Sequence, residues 1–159
     1  MTTTATDTAR KGDGIPPRPI VVAAWAIHRA LYRILGRRRA LRKATEKAWG
    51  MMRLKTIGRK SGRERAAILG YYEDGPNLVT MAMNGWGEPE PAWWLNLQAH
   101  PDTTVELHDR TLAVRGRAAT PEERPRLWEI WGRYDGPDKL DAWASRRPRE
   151  TAVVILEPR

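Results

Sequence analysis

The sequence predicts an α+β fold, a small barrel of about six mostly antiparallel strands with three or four covering helices. Short segments alternate apolar and polar residues with a period of two and are joined by tight turns, which is typical of antiparallel hairpins. The chain has 159 residues, a length that fits one domain. It shows neither a βαβ rhythm nor a GxGxxG motif, so a Rossmann fold is disfavoured.

The part of the chain before the predicted barrel divides into two segments. Residues 1–19 are rich in Thr, Gly, Pro and charge, so we expect a disordered lead-in. Residues 20–47 place apolar side chains at three- and four-residue steps, which predicts a basic amphipathic helix. The apolar run is too short and too interrupted by charge for a transmembrane helix, and no secretory signal is recognisable.

Two interpretations of this helix remain open. In the first, it packs on the barrel and its basic face is in solvent. In the second, it lies on an anionic membrane surface through residues 20–43, with Trp25 and Tyr32 at the headgroups and arginines on lipid phosphates. The expected localisation is cytoplasmic, with a peripheral position on the inner face of the cell membrane in the second case.

The barrel domain is expected over residues 48–159. Glycine-containing turns at 58–62 and 74–77 separate its first strands, and Gly136 and Pro137 interrupt the chain near its end. Thr120 and Glu123 form a capping box that predicts the start of a helix. The predicted strands cover residues 52–57, 65–72, 78–83, 103–107, 112–118 and 151–157, and the predicted helices cover residues 92–99 and 120–134.

Composition and charge exclude several functional classes. Without cysteine, the chain has no disulfide, thiolate metal site or cysteine nucleophile, and its three histidines form no HExxH-type pair, so we expect no metal. Residues 1–50 hold eleven Lys or Arg against three acidic residues, whereas residues 66–159 hold eleven against fifteen. Such asymmetry indicates an anionic partner met at a defined place. Nucleic acid is not expected, because the tryptophans lie mostly in the acidic part.

The turn at residues 58–65 is the strongest candidate for an anion site. Two glycines let the backbone turn tightly and present N–H groups, Lys60 supplies a point charge, and Arg65 supplies a planar fork for phosphate or carboxylate oxygens. Lys55 and Arg59 strengthen the positive field. An ordinary basic hairpin tip is the alternative, and the Walker A pattern is absent.

A second candidate site gathers methionine, tryptophan, glycine and asparagine in residues 81–87 and 91–97. Flat aromatic rings, soft sulfur and exposed amides suit a flat heterocycle. In the alternative interpretation, Trp93 and Leu97, four residues apart, pack in the core.

These segments together resemble the deazaflavin-dependent nitroreductase and quinone reductase family. The resemblance rests on the Thr-x-Gly-Arg-Lys-Ser-Gly turn, Asp74-Gly75, the helix over 91–97, His100-Pro101 and the closing residues 153–158. It implies a split β-barrel, similar to flavin reductases and pyridoxamine oxidases, that binds coenzyme F420, with flavin mononucleotide as the less favoured cofactor.

The resemblance also implies site residues. The turn matches the family's phosphate site, the following strand lies beside the ring system, and two further segments meet or close over the deazaflavin. The implied cofactor-binding residues are Arg59, Lys60, Ser61, Arg65, Ala66, Ala67, Ile68, Leu69, Gly70, Met81, Ala82, Met83, Asn84, Ala92, Trp93, Trp94, Leu95 and Asn96.

The expected reaction is hydride transfer from reduced F420 to a planar acceptor. A quinone such as menaquinone is the preferred acceptor, and nitroaromatics or other activated electrophiles are alternatives. We expect Trp86, Trp93 and Tyr134 around the acceptor and Tyr134 as the proton donor or orienting hydroxyl, while a structural role on the barrel remains open for Tyr134. The alternative function is a non-catalytic deazaflavin, flavin or lipid carrier on the same barrel.

Overall fold

The computed structural model describes residues 16–36 and 40–159. Within these residues, six strands close into a barrel in the order β1-β2-β3-β6-β5-β4, and every neighbouring pair is antiparallel. The strands are β1 Gly50–Ile57, β2 Glu64–Asp74, β3 Asn77–Met81, β4 Asp102–Glu106, β5 Thr111–Ala118 and β6 Val153–Pro158. The predicted α+β barrel is therefore confirmed.

Four α-helices accompany the barrel in the described residues. They are α1 Arg18–Leu35, α2 Ala92–Ala99, α3 Arg124–Asp135 and α4 Pro137–Ala144, and a short 3-10 turn covers Asn84–Trp86. The predicted capping box is present, because the Thr120 N–H donates to Glu123 Oε2 at 2.9 Å and the Glu123 N–H donates to Thr120 Oγ1 at 3.3 Å. The separate helix α4 after Gly136 was not predicted.

The amphipathic helix is shorter than the sequence predicted. α1 ends at Leu35, where Gly36 adopts a φ of +72° and its N–H bonds to the Tyr32 carbonyl at 3.0 Å. Residues 41–49 form isolated bridges and a turn instead of helix, and the bridge between Arg42 and Met51 leads directly into β1. Of the predicted disordered lead-in, residues 1–15 lie outside the described part of the chain, and Arg18 already belongs to α1.

Two apolar clusters hold the barrel and its helices together. One fills the barrel interior and includes Met52, Leu54 and Leu97, and α2 approaches β5 so closely that a Cβ on Gly116 would lie 2.4 Å from Leu97 Cδ2. The other cluster joins β2, β3 and β6 to α3 and α4 through Tyr72 and Trp131, among others. These contacts fix the start of α2 and the inner face of α3 beside the space described next.

Candidate active site

A cavity of about 920 Å³ lies against the β1–β2 hairpin. The start of α2, the 3-10 turn, α1, α3 and α4 form its other walls. Its volume is in the range of pockets that enclose a small molecule or cofactor. It joins the two segments that the sequence marked as candidate sites.

The basic turn is held by its own backbone. The Ser61 and Gly62 N–H groups donate to the Gly58 carbonyl at 3.1 and 2.7 Å, and the Gly58 N–H donates to the Arg63 carbonyl at 2.8 Å. The Arg59 N–H donates to Asn96 Oδ1 at 3.1 Å. The prediction that the turn offers its N–H groups to an anion is therefore wrong for these amides, and the positive side chains supply the attraction.

Asn96 of α2 joins this turn to the barrel. Its Oδ1 accepts from the Arg59 N–H, and its Nδ2 donates to Thr56 Oγ1 on β1 at 3.3 Å. Asn96 and Thr56 are both buried, so the bridge is protected from water. A buried bridge of this kind restricts where the cations of the turn can go.

Three cations of this region line the cavity without a carboxylate partner. Among the described residues, Arg59, Lys60 and Arg65 form no ion pair, and all three are exposed. Lys55, which was expected to strengthen the field, instead contacts Glu106 at 3.5 Å and Glu64 at 3.6 Å. The positive charge that this hairpin presents to the cavity is thus on the turn and the first residues of β2, and Arg29 of α1 adds a further cation to the cavity lining.

The wall beside the turn is built from β2. Residues 66–70 line it, and Ala66, Ala67 and Gly70 keep the side chains small at three of these five positions. A Cβ on Gly70 would lie 3.0 Å from Trp49 Cε3, so the strand and this indole are in close contact. The result is a mostly apolar wall next to the cations.

The 3-10 turn has an unusual backbone. Asn84, Gly85 and Trp86 have φ values of 48°, 58° and 61°, which only glycine adopts readily. Trp86 lines the cavity and its ring lies 5.9 Å from that of Trp143 on α4. Strained residues of this kind persist only where the surrounding structure holds them.

Helix α1 covers part of the cavity. Val21, Trp25, His28 and Arg29 line it, and a Cβ on Gly85 would lie 2.9 Å from Val21 Cγ1 and 3.5 Å from Trp25 Cζ2. The face of α1 that carries these residues therefore packs on the cavity, as the first interpretation of this helix predicted.

The C-terminal half of α1 is attached to the barrel. Tyr32 donates a hydrogen bond to Glu106 Oε2, and the Arg53 guanidinium lies over the Tyr32 ring at 4.9 Å. Burial raises the pKa of the Glu106 carboxyl, but the hydrogen bonds from Tyr32 and Arg53 and the positive charges of Arg53 and Lys55 together hold it below its usual value. Trp25 lines the cavity but remains 37% exposed, and Tyr32 contacts the barrel, so the placement of both rings at lipid headgroups stays a prediction.

A family model described as F420H(2)-dependent quinone reductase matches residues 28–158. The chain belongs to this family. Membership confirms the predicted resemblance, the class of F420-dependent oxidoreductases and coenzyme F420 as the cofactor. It also favours an enzyme over the non-catalytic carrier.

Named relatives of the family agree with this assignment. Rv1261c of Mycobacterium tuberculosis, named F420H(2)-dependent quinone reductase, is 29% identical over 108 residues, which cover 67% of this chain and 72% of the relative. Rv3178 of the same organism, whose name gives that activity provisionally, is 35% identical over 103 residues, or 64% of this chain and 83% of the relative. A solved F420-H2 dependent reductase (FDR-A) has a TM-score of 0.59 and 25% identity, covering 67% of this chain and 93% of that chain.

The cavity of this family member fits a cofactor with an anionic tail and a flat ring. Arg59, Lys60 and Arg65 have the donor chemistry for phosphate oxygens, and the apolar residues 66–70 of β2 lie beside them. Most of the predicted cofactor residues line this one cavity: Arg59, Lys60, Ser61, Arg65, Ala66, Ala67, Ile68, Leu69, Gly70, Met81, Met83, Asn84, Ala92, Trp93 and Asn96.

Four predicted site residues are not among those that line the cavity. Ala82 and Trp94 are buried in the barrel core, and Leu95 is half-buried on α2. The Tyr134 ring packs on Tyr72, with their centroids 6.0 Å apart. Of the predicted acceptor residues, Trp86 and Trp93 line the cavity, while the catalytic role of Tyr134 stays a prediction without a cavity contact to support it.

Several lining residues were not predicted as site residues. The carboxyl oxygen Oδ2 of Asp135 accepts a hydrogen bond from Trp131 Nε1 at 2.7 Å, so α3 presents an indole and an acid to the cavity. The spacing of Val21, Trp25 and His28 on one helical face was the available signal for the α1 wall. The unpredicted lining residues with large or charged side chains are Trp25, His28, Arg29, Trp49, Met51, Trp131, Asp135 and Trp143.

Proposed function

We propose that this enzyme transfers a hydride from reduced coenzyme F420 to a quinone, with menaquinone as the preferred acceptor. The observation that carries the proposal is one cavity that joins cations without a carboxylate partner among the described residues to an apolar strand wall and to indole side chains. When bound, reduced F420 supplies a hydride which, with one proton from water, reduces a quinone to the hydroquinone.

The residues of the chain act by binding and orientation. Lys60 and Arg65 hold the phosphate of the cofactor, and the Asn96 bridge fixes the turn from which these cations extend. Trp86 and Trp25 offer flat apolar faces to a planar acceptor and exclude water from it. When an enzyme holds a cofactor and an acceptor in the correct alignment, this alignment supplies a large part of the decrease in the activation barrier.

The test of the anion site uses a matched cation of the same turn. Lys60→Met and Arg65→Met each remove a lining charge, whereas Arg63→Met removes an exposed charge that does not line the cavity. We expect each of the first two to raise the Kd for oxidised F420 about tenfold or more, and the third to change it less than about twofold. If all three substitutions weaken F420 binding equally, only the net charge of the protein matters for binding and the proposed anion site is wrong. Parallel titrations with flavin mononucleotide test the choice of cofactor.

The acceptor is tested by turnover. We expect oxidation of reduced F420 to depend on added menaquinone analogue, and Trp86→Ala to raise its KM more than the Kd for F420. A nitroaromatic compound with a higher kcat/KM than every quinone tried would overturn the quinone assignment. No oxidation with any acceptor would overturn the proposed function itself.

We further propose that α1 docks on an anionic membrane, from which a lipid-soluble quinone would enter. The side chains of Ile20, Ile27 and Ile34 are 57%, 60% and 77% exposed and share one face of the helix. The positive charge of residues 1–50 is complementary to anionic lipid. None of the described helices is both long and apolar enough to cross a bilayer. We therefore propose a cytoplasmic enzyme at the inner membrane face.

Vesicle flotation tests this docking. We expect the enzyme to float with anionic vesicles, the double variant Ile27→Ser and Ile34→Ser to remain in solution, and Ile57→Ser, an exposed isoleucine of the barrel, to float like the parent. Equal recovery with and without anionic lipid would contradict the electrostatic part of the proposal. Retention of flotation by the double variant would contradict the role of the apolar face.

A further inference from the structure

Arg147 is a buried cation that the proposed function does not use. It follows α4 in the chain, is 5% exposed, and does not line the cavity. Its Nη1 donates to the Ala82 carbonyl at 2.9 Å and to Thr151 Oγ1 at 2.8 Å, and its Nη2 lies 3.6 Å from Glu90 Oε1. One guanidinium thus contacts three separate positions of the chain.

Two of these contacts are at the two ends of the cavity loop, residues 82–91. Ala82 directly follows β3, and Glu90 is the second residue before α2. Between them lies the 3-10 turn with its three left-handed residues, including Trp86. Thr151, next to β6, completes the anchor on the barrel side.

The pair is a poor stabiliser of the fold by itself. Arg147 Nε and Nη2 and Glu90 Oε2 are buried and have no hydrogen-bond partner among the described residues. Removal of two charges from water commonly costs more than their attraction returns, and well-packed apolar side chains of similar volume often stabilise a protein better. The pair of Arg147 and Glu90 is therefore better explained by a role in fixing one conformation of the loop than by a contribution to the stability of the fold.

We infer that Arg147 is a positioning residue for the acceptor, which clamps both ends of the loop and thereby holds Trp86 in the cavity wall. The inference rests on the proposed function for the identity of the acceptor, while the position of the loop can be measured without it. Backbone in the left-handed region relaxes unless its surroundings hold it. The bond from Asn84 Nδ2 to the Pro89 carbonyl at 2.8 Å holds the turn from within the loop, and Arg147 holds the two ends of the loop. Arg147 acts through Ala82 and Glu90 and touches neither cofactor nor acceptor.

The test compares Arg147→Met with Arg149→Met, which removes an exposed arginine two positions away. We expect Arg147→Met to raise the acceptor KM about tenfold or more and to leave the Kd for F420 within about twofold, since a small displacement of a binding group has large effects. The coupled rings of Trp86 and Trp143 give a circular dichroism signal, which is identified as the part of the parent spectrum that Trp86→Phe removes. We expect this signal to disappear in Arg147→Met as well. Arg149→Met should change none of these. Arg147→Lys, which keeps the charge but has one nitrogen, should be intermediate.

Each other outcome has a definite meaning. Unchanged acceptor KM and tryptophan signal in Arg147→Met would overturn the inference. An equal increase in acceptor KM and F420 Kd would also overturn it, because that pattern indicates general loosening of the protein. If Arg147→Met does not fold, Glu90→Ala removes the contact at only one end of the loop, and an unchanged tryptophan signal there would refute the clamp. Absence of turnover in the parent would count against the proposed function alone, since the tryptophan signal still reports the loop.

Discussion

Replacement of Asn96 by alanine tests whether the buried bridge between α2 and the basic turn controls cofactor binding. The substitution removes the acceptor of the Arg59 N–H at 3.1 Å and the donor to Thr56 Oγ1 at 3.3 Å. Each hydrogen bond is worth about 1 kcal/mol, so we expect a loss of about 2 kcal/mol in the free energy of unfolding. For a domain of this size, that loss corresponds to a Tm about 4–8 °C lower.

The effect on the cofactor should exceed what stability alone explains. Without the bridge, the turn that carries Lys60 is no longer fixed to the barrel. We therefore expect the Kd for F420 to rise about tenfold, which corresponds to the loss of about one charge-assisted hydrogen bond. Thermal unfolding measures the first effect, and titration of folded protein well below its Tm measures the second.

Thr56→Val provides the control. It removes only the contact of Asn96 Nδ2 and leaves Asn96 Oδ1 bonded to the Arg59 N–H. We expect about half the loss of stability and a Kd within about twofold of the parent. If Asn96→Ala lowers the Tm as expected but binds F420 with the parent's Kd, the argument that the bridge positions the cations is refuted.

Three further predictions concern other parts of the molecule. Hydrogen bonds from Arg117 hold the pKa of Glu123 at about 2 in the folded state, below its unfolded pKa of about 4.3. The resulting stabilisation is complete at a pH above the unfolded pKa and is lost as the pH falls towards the folded pKa. Acid unfolding curves should show this loss, and Glu123→Gln should lack it. Gly85→Ala places a Cβ 2.9 Å from Val21 Cγ1 at a φ of +58° and should cost about 1–2 kcal/mol of stability. In thermal melts, a second substitution, Val21→Ala, should recover only the part of this loss that is due to the steric contact. Tyr134→Phe should leave kcat within about twofold, whereas a proton donor's loss would lower it about a hundredfold or more.

The barrel could be predicted because its signals are local. The alternation in residues 52–57 and the glycine turn after it determine both the strand and its hairpin partner, and the observed register pairs Leu54 with Ala67. The capping box at Thr120 and Glu123 is likewise a local signal, although α3 begins at Arg124 and not at the predicted residue 120. These features depend on neighbours in the chain and need no knowledge of distant contacts.

The site was less predictable because its walls meet through distant contacts. A step of one residue turns a helix by about 100°, so Asp135 lines the cavity while Tyr134, its neighbour, packs on Tyr72. The helical period showed that Trp25 lies on an apolar face, but two apolar faces were available and only the fold decides which one covers the cavity. The pairing of Arg147 with the two ends of a loop more than fifty residues earlier has no local signal.

The position of α1 has a practical consequence for work with shortened protein. A version that starts at residue 41, a natural choice for crystallisation, would keep the complete barrel and the basic turn but lose Val21, Trp25 and His28 from the cavity wall. Inhibitor screens or substrate surveys carried out on it would describe an active site with one side missing.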